Sequence, residues 1–438
     1  MKHVILGGGV AGLTAASAIR RWDPQADVLI LSDEPEVFYY RSALSFFLGG
    51  SRPLAQVKGE ATELLRKLRV RTRRATLRAI RHSDRKVVLA DGEETYDRLL
   101  IALGADPIRP PTPGDSAPEV LTYRSLEDAQ RIKAALEAKR RLVVVGAGVL
   151  GLEVADAAIH VGASVAAILD LSPFIARPPL DEGATPILRA RLHRAGIPCR
   201  PKETVQEFLL DGGHLKAVRT TGGLEIPCDL VVQAIGVRPR MAEAEAAGIK
   251  CDKGILTDVH GETSVSGVFA AGDVAKYWDP TANAHLPCRT WMVATQMGRN
   301  AGANMAGHPS EYDPGVMINA SKTFGGHYAI VGDVRGGAGV ETIELPPGTA
   351  GPETVYRKMY LEGIDYRRFY FQGDRLVGYV ELSQDVSDST GIRDLIRMKV
   401  PCREESEGLL LGRVDPRDLL RKAQPGCLVE DPVAPATS

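Results

Sequence analysis

One pattern occurs twice in this chain and constrains the fold more than anything else in it. Residues 2–13 read KHVILGGGVAGL and residues 141–152 read RLVVVGAGVLGL, in register, so Gly146, Gly148 and Gly151 fall where Gly7, Gly9 and Gly12 fall. Each copy is a continuous apolar run, as a strand buried on both faces of a parallel sheet requires, followed by G-x-G-x-x-G and a small-residue helix pattern. In such a unit the first glycine makes the tight turn, the second lets backbone approach a pyrophosphate, and the third lets helix pack close to strand. The helix N-terminus offers unpaired N–H groups and a partial positive charge to the anion. A lone glycine pattern is weak, but a repeated strand–turn–helix unit predicts two dinucleotide sites in one chain. Reading the first copy as a secretory signal fails, because glycines interrupt its apolar core and no polar cleavage region follows.

The residues beyond each turn extend the pattern. After a helix over 14–21, an apolar strand at 28–31 ends in Ser32-Asp33-Glu34, about twenty residues on, where an acid meets a ribose hydroxyl. Glu34 is the first candidate and Asp33 the second. The second copy runs through a helix to about Val161 and a strand at 165–169 into Asp170. An aspartate there favours NADH; a 2′-phosphate calls for arginines, and the first basic residue, Arg177, stands several positions further on.

At 438 residues the chain has length for two or three domains, and 44% hydrophobic with 25% charged residues is the balance of a soluble globular protein. A net charge of -1 argues against a nucleic-acid partner. Residues 65–81 are nonetheless locally basic and helix-like, either a small anion-facing patch or a solvated surface. No apolar run reaches membrane-spanning length. The cysteines, at 199, 228, 251, 288, 402 and 427, form no close pair. That spacing predicts no metal site and no local redox disulfide, and it suits a reducing, cytoplasmic compartment.

Between the two copies, residues 37–50 read VFYYRSALSFFLGG. The loop is either a core lid or the cover of a flat aromatic cofactor, with Arg41 facing the charge that develops on reduction. A hairpin turning at Asp91-Gly92, a strand over 96–104 and a proline-rich exit at 107–114 follow. Past the second copy the pattern reads as a helix and strand over 181–212, hairpin strands over 214–235, and a strand ending in Gly-Asp at 267–275. Asp273 there can accept hydrogen bonds from sugar or ribityl hydroxyls. A small-residue helix follows over 290–305, and its N-terminus can face an anionic ring. From Pro309 the character becomes α+β, with strands at 356–360, 367–371 and 376–382, a helix at 392–398, and a proline-rich tail after Ala423. Its aromatic residues make either a dimer face or the core of a sheet.

Taken together, the motifs resemble the FAD-dependent pyridine-nucleotide disulfide oxidoreductase superfamily. The matching pieces are GGGVAG at 7–12, YYRSALS at 39–45, TYRSLEDA at 122–129, GAGVLGLE at 146–153, AIGVRP at 234–239, GVFAAGD at 267–273 and WMVATQMG at 291–298. Within the superfamily the chain is most similar to rubredoxin and ferredoxin reductases, NADH oxidases and the flavin region of nitrite reductases. The resemblance implies an α/β fold of two Rossmann-like domains, with an NAD(P)H domain at 114–241 inserted in an FAD domain at 1–113 and 242–308. A C-terminal α+β interface domain at 309–423 and a flexible tail at 424–438 complete it, and a homodimer is possible in such a family. It places FAD against Gly7, Gly9, Gly12, Glu34, Arg41, Arg124, Asp273 and Trp291. It places NADH or NADPH against Gly146, Gly148, Gly151, Glu153, Asp170 and Gly236.

Three departures shape the expected chemistry. No C-x-x-x-x-C exists, residues 42–47 (SALSFF) stand where single-cysteine members carry their reactive thiol, and Ala102-Leu103-Gly104 replaces the usual A-T-G. The expected reaction passes hydride from NAD(P)H to FAD and electrons onward. Arg41 and Glu153 are its catalytic candidates, either as an ion pair beside the flavin N5 or with Glu153 merely complementing a helix dipole in the first turn. The expected acceptor is a small carrier protein of rubredoxin or ferredoxin type. The alternatives are oxygen itself, or a flavin- and NADH-binding redox sensor with little turnover.

Overall fold

The computed structural model describes residues 1–176, 180, 182–280, 282–288, 290–334, 336, 339–345, 364–384 and 389–423. Arg177, Cys427, the strand expected at 356–360 and the tail from 424 lie outside the described residues. The described residues form two compact units, one of those within 1–171 and 198–314, the other of those within 172–197 and 315–423.

The first unit holds two five-stranded parallel sheets, each built around one of the repeated motifs. The first sheet runs in the order Val268–Ala270, Arg98–Ile101, Lys2–Leu6, Asp27–Ser32 and Arg71–Arg74. The second runs Cys199–Pro201, Val165–Asp170, Leu142–Val145, Leu230–Gln233 and Val120–Thr122. The motif strands lie at the centre, which is why they are apolar throughout. Val4 and Ile5 are fully buried, as are Leu142, Val143 and Val144. In both sheets the chain runs outward in opposite directions from the motif strand, so a crevice opens at its C-terminal end, where a parallel sheet binds ligands.

Helix Val10–Trp22 follows the first turn and packs on helix Trp291–Met305. A Cβ at Gly298 would lie 2.2 Å from Ala11 O and one at Gly302 2.4 Å from Ala15 O, so the two helices meet backbone to backbone. The small-residue pattern of the later helix exists for that approach.

Two sequence expectations change. Only Ala61–Lys67 of the basic segment is helical; Arg71–Arg74 and Leu77–Arg81 are strands. Alternation won over helical spacing, with Ile80 buried between exposed arginines. Its cations meet carboxylates, Arg66 with Glu63, Arg71 with Asp27, Arg73 with Glu94 and Arg81 with Glu93, as a solvated surface would have them. The 214–235 stretch is also divided. His214–Thr220 and Glu225–Pro227 pair antiparallel, whereas Leu230–Gln233 enters the parallel sheet.

The second unit centres on a five-stranded antiparallel sheet in the order Ile318–Thr323, Gly326–Gly332, Arg375–Ser383, Ile364–Gln372 and Val340–Leu345. Helices Ser389–Arg397 and Ser406–Leu410 pack on it, and helix Ala184–Arg194 belongs to the same unit. Phe369 and Phe371 are fully buried and Tyr379 is 1% exposed, so these aromatic residues are sheet core and not a dimer face.

Candidate functional site

The two glycine turns have matching geometry. Gly7 has φ +112° and its added Cβ would lie 2.1 Å from Ala102 O, while a Cβ on Gly12 would lie 2.1 Å from Gly7 O. Gly146 and Gly151 repeat this against Ala234 O at 2.4 Å and Gly146 O at 1.9 Å. The middle glycines differ, for among the described residues nothing lies within 4 Å of a Cβ built on Gly9 or Gly148. The outer glycines are thus demanded by the fold, and the middle ones face open space in which another molecule's backbone-scale approach fits. Gly9 and Gly148 are the N-caps of their helices, with no side-chain cap and no acid in the first turn. The free donors and the positive dipole end suit a pyrophosphate at each turn.

Gly8 also proves necessary, because a Cβ there would lie 1.9 Å from Val37 O. The third consecutive glycine was the available signal. In the second copy Ala147 takes that place, and its N–H donates to Asp170 Oδ2 at 2.6 Å. Asp170 is therefore held at the second turn. Gly236, left-handed at φ +115° and exposed, lies just beyond Leu230–Gln233 and accepts from Ile108 N–H at 3.0 Å.

Beyond Asp27–Ser32 the chain builds a fixed polar cluster. Tyr39 donates to Glu34 Oε2 at 2.7 Å and accepts from the Leu126 N–H at 3.1 Å, while Arg41 pairs with Glu34 and hydrogen-bonds the Tyr39 hydroxyl. The Arg41 guanidinium sits 4.6 Å above the Tyr39 ring centre. Burial first, and then the Glu34 charge, raises the Tyr39 phenol, against the opposing pull of Arg41. Glu34 keeps acceptor capacity after these contacts, since an ionised carboxylate has about four lone-pair sites.

Each of the two catalytic candidates, Arg41 and Glu153, has a neighbour of its own. Arg41 takes Glu34, seven residues away along one loop, as its carboxylate partner. Glu153 lies one turn inside helix Val149–His160 and not in its first turn. Its charge acts on Tyr123, a phenol raised first by burial and next by Glu153. Asp33 is engaged elsewhere, 2.6 Å from Arg240.

On the other side of the motif strand, Arg124 Nη2 lies 2.7 Å from Asp273 Oδ2, and Arg124 Nε donates to Ala105 O at 3.1 Å. Arg124 also fills the space over Gly104, with Nη2 3.5 Å from where a Cβ would stand. Cys288 is buried beside Asp273, and burial, then the Asp273 charge, raises its thiol well above the ordinary range. Trp291 opens its helix under a Thr290 cap and tilts against Phe38 at 6.0 Å and Tyr40 at 5.7 Å. The glycine turn, Glu34 and Asp273 follow the C-terminal ends of strands of the first sheet, and Arg124 follows Val120–Thr122 at the edge of the second. Among the described residues no three His, Cys, Asp or Glu converge as a metal site. No described helix is long and apolar enough to cross a membrane.

Residues 1–298 match the family described as pyridine nucleotide-disulphide oxidoreductase. The chain belongs to this family. Among relatives, it is 30% identical over 411 residues to the biphenyl dioxygenase system ferredoxin–NAD(+) reductase component of Paraburkholderia xenovorans, covering 90% of this chain and 98% of that one. It is 33% identical over 326 residues to the p-cumate 2,3-dioxygenase system ferredoxin–NAD(+) reductase component of Pseudomonas putida, covering 72% and 78%. The solved covalent putidaredoxin reductase–putidaredoxin complex matches with a TM-score of 0.85 at 25% identity, over 96% of this chain and 98% of that chain. Membership makes the chain an oxidoreductase of pyridine nucleotides.

Proposed function

We propose that this chain binds FAD on its first glycine turn and NADH on its second, and passes electrons from NADH to a small iron–sulfur carrier protein of ferredoxin or rubredoxin type. The observation that carries this reading is the pair of uncapped helix N-termini behind Gly9 and Gly148, each open, each at the centre of its own parallel sheet. Bound FAD supplies the chemistry the side chains lack, accepting hydride from the nicotinamide and releasing electrons singly to a one-electron carrier.

The residues present fit that cofactor. Glu34, oriented by Tyr39 and Arg41, accepts from the adenosine ribose, and Asp273, oriented by Arg124, accepts from the ribityl chain. Phe38, Tyr40 and Trp291 pack ring against ring and would line one side of the flavin site. Asp170 accepts from the ribose of NADH, and Glu153 orients the nicotinamide. Residues 1–113 with 242–308 serve FAD, 114–241 serve NADH, and 309–423 form the C-terminal domain of a cytoplasmic protein.

The state of the buried thiols and the names of the relatives bear on the acceptor. Burial pushes the Cys228 thiol to about 12 and those of Cys251 and Cys402 to about 11. Thiols so raised stay protonated at neutral pH and make poor redox nucleophiles. Two relatives are named as ferredoxin–NAD(+) reductase components, which favours a separate carrier protein. NADH consumption measured in air with and without added ferredoxin or rubredoxin tests the reading. Turnover that requires the carrier supports it; equal, rapid turnover without carrier makes the protein an oxidase.

A further inference from the structure

The two chain crossings that join the parallel sheets run side by side and are tied down on both flanks. Ala105–Pro107 leaves the first sheet after strand Arg98–Ile101 and pairs antiparallel with the returning Val237–Pro239, Ala105 facing Pro239 and Pro107 facing Val237. On one flank, Arg240 Nη2 lies 2.6 Å from Asp33 Oδ2 and its Nε 3.6 Å from Asp106 Oδ1, while its backbone N–H donates to Gly104 O at 3.0 Å. On the other, Arg124 bonds Ala105 O and Asp273. Asp33 follows strand Asp27–Ser32 and Asp273 follows strand Val268–Ala270, which lie on opposite sides of the strand bearing the first glycine turn.

The Arg240–Asp33 pair is half exposed, with side chains 32% and 36% accessible. A pair so placed contributes little to folding stability. Its use is geometric, because one guanidinium joins the end of the FAD-side strand to both crossing segments. We propose that Arg240 is a positioning residue for hydride transfer: with Asp33 it fixes the crossing so that the nicotinamide bound on one sheet meets the flavin bound on the other. Asp33 is thereby committed to the crossing, leaving Glu34 for the ribose. The inference rests on the NADH-to-FAD reading above.

The test uses FAD-loaded Arg240→Ala, Asp33→Ala, the double variant, and the exchanged pair Asp33→Arg with Arg240→Asp, made with Asp106→Asn so that the new carboxylate meets no second one. Flavin content, melting temperature and the anaerobic rate of flavin bleaching by saturating NADH are measured. A small misplacement of reacting groups is costly, so each single variant should bleach about tenfold more slowly, with flavin content unchanged. The double variant should be no slower than the singles, and the exchanged pair should recover most of the rate. Wild-type rates in both single variants overturn the inference. So does loss of flavin from Asp33→Ala alone, which would make Asp33 a cofactor ligand. Slowing that merely tracks a lower melting temperature, without recovery in the exchanged pair, also overturns it. Wild-type protein that NADH does not bleach at all overturns the functional reading beneath it.

Discussion

The Asp170 carboxylate accepts a hydrogen bond from the Ala147 backbone N–H at 2.6 Å, which fixes the acid at the second glycine turn. An anion there attracts the ribose hydroxyls of NADH and repels the 2′-phosphate of NADPH. Asp170→Asn should raise the KM for NADH about tenfold, as expected for the loss of one hydrogen bond to a charged group, with kcat little changed. The NADPH preference ratio should rise at the same time. Steady-state kinetics with both nucleotides and a saturating acceptor measures this.

The glycines of one turn should separate by function. A Cβ at Gly9 meets no atom of the described residues within 4 Å, whereas one at Gly12 would lie 2.1 Å from Gly7 O. Gly9→Ala should fold with an unchanged melting temperature and lose FAD affinity. Gly12→Ala should lower the melting temperature of the apoprotein as well, by an overpacking penalty of about 1–3 kcal/mol. Calorimetry of the apoproteins beside flavin titration distinguishes the two outcomes.

Much of this site was legible in the sequence because its carriers are local. The glycine spacing, the apolar strands before it and the acids after them lie within single strand–turn–helix units, and the structure places them accordingly. Partnerships between distant residues were not legible. Arg124 and Asp273 stand 149 positions apart and Arg240 and Asp33 stand 207 apart, so only the closing of the sheet brings them together. The Arg41–Glu34 contact, by contrast, spans seven residues of one loop. The basic stretch was misread for a related reason. Arginines at close spacing satisfy helical and alternating patterns alike, and pairing with Leu29 and its neighbours decided for strand at Arg71–Arg74.

Acid sensitivity should arise partly in the first strand. His3 is fully buried with neither ring nitrogen hydrogen-bonded, and burial, aided by the N-terminal amine and opposed by Asp23 and Asp97, holds its imidazole down at about 4. Below about pH 6.5 the unfolded chain takes up a proton at this residue, and the folded chain does so only near pH 4. Stability is therefore present in full above pH 6.5, falls as pH drops toward 4, and levels off below. The loss is of order 3 kcal/mol. Urea denaturation from pH 7.5 to 4 should show this slope in the wild type and a shallower one in His3→Leu.

In the second unit, Arg367 is 8% exposed and Glu381 1%, and the pair lies 2.7 Å apart. Arg367 also donates to the carbonyls of Leu409 and Leu410, and Tyr379 bonds the same Glu381 oxygen. Removing one partner leaves the other charge buried, so Arg367→Met should cost about 3–5 kcal/mol. Adding Glu381→Leu should recover much of that loss, since the uncompensated charge goes with it. Urea midpoints of the three proteins provide the comparison.

The central claim is that one chain carries hydride from NADH to a flavin without a cysteine relay. Anaerobic stopped-flow mixing of the purified holoprotein with NADH, after alkylation of every accessible thiol, tests it most directly. Rapid bleaching of the flavin band is expected, unchanged by alkylation and faster with NADH than with NADPH, followed by rapid recolouring when oxidised ferredoxin is added. Purified protein that holds no flavin, or whose flavin NADH fails to bleach, would contradict it.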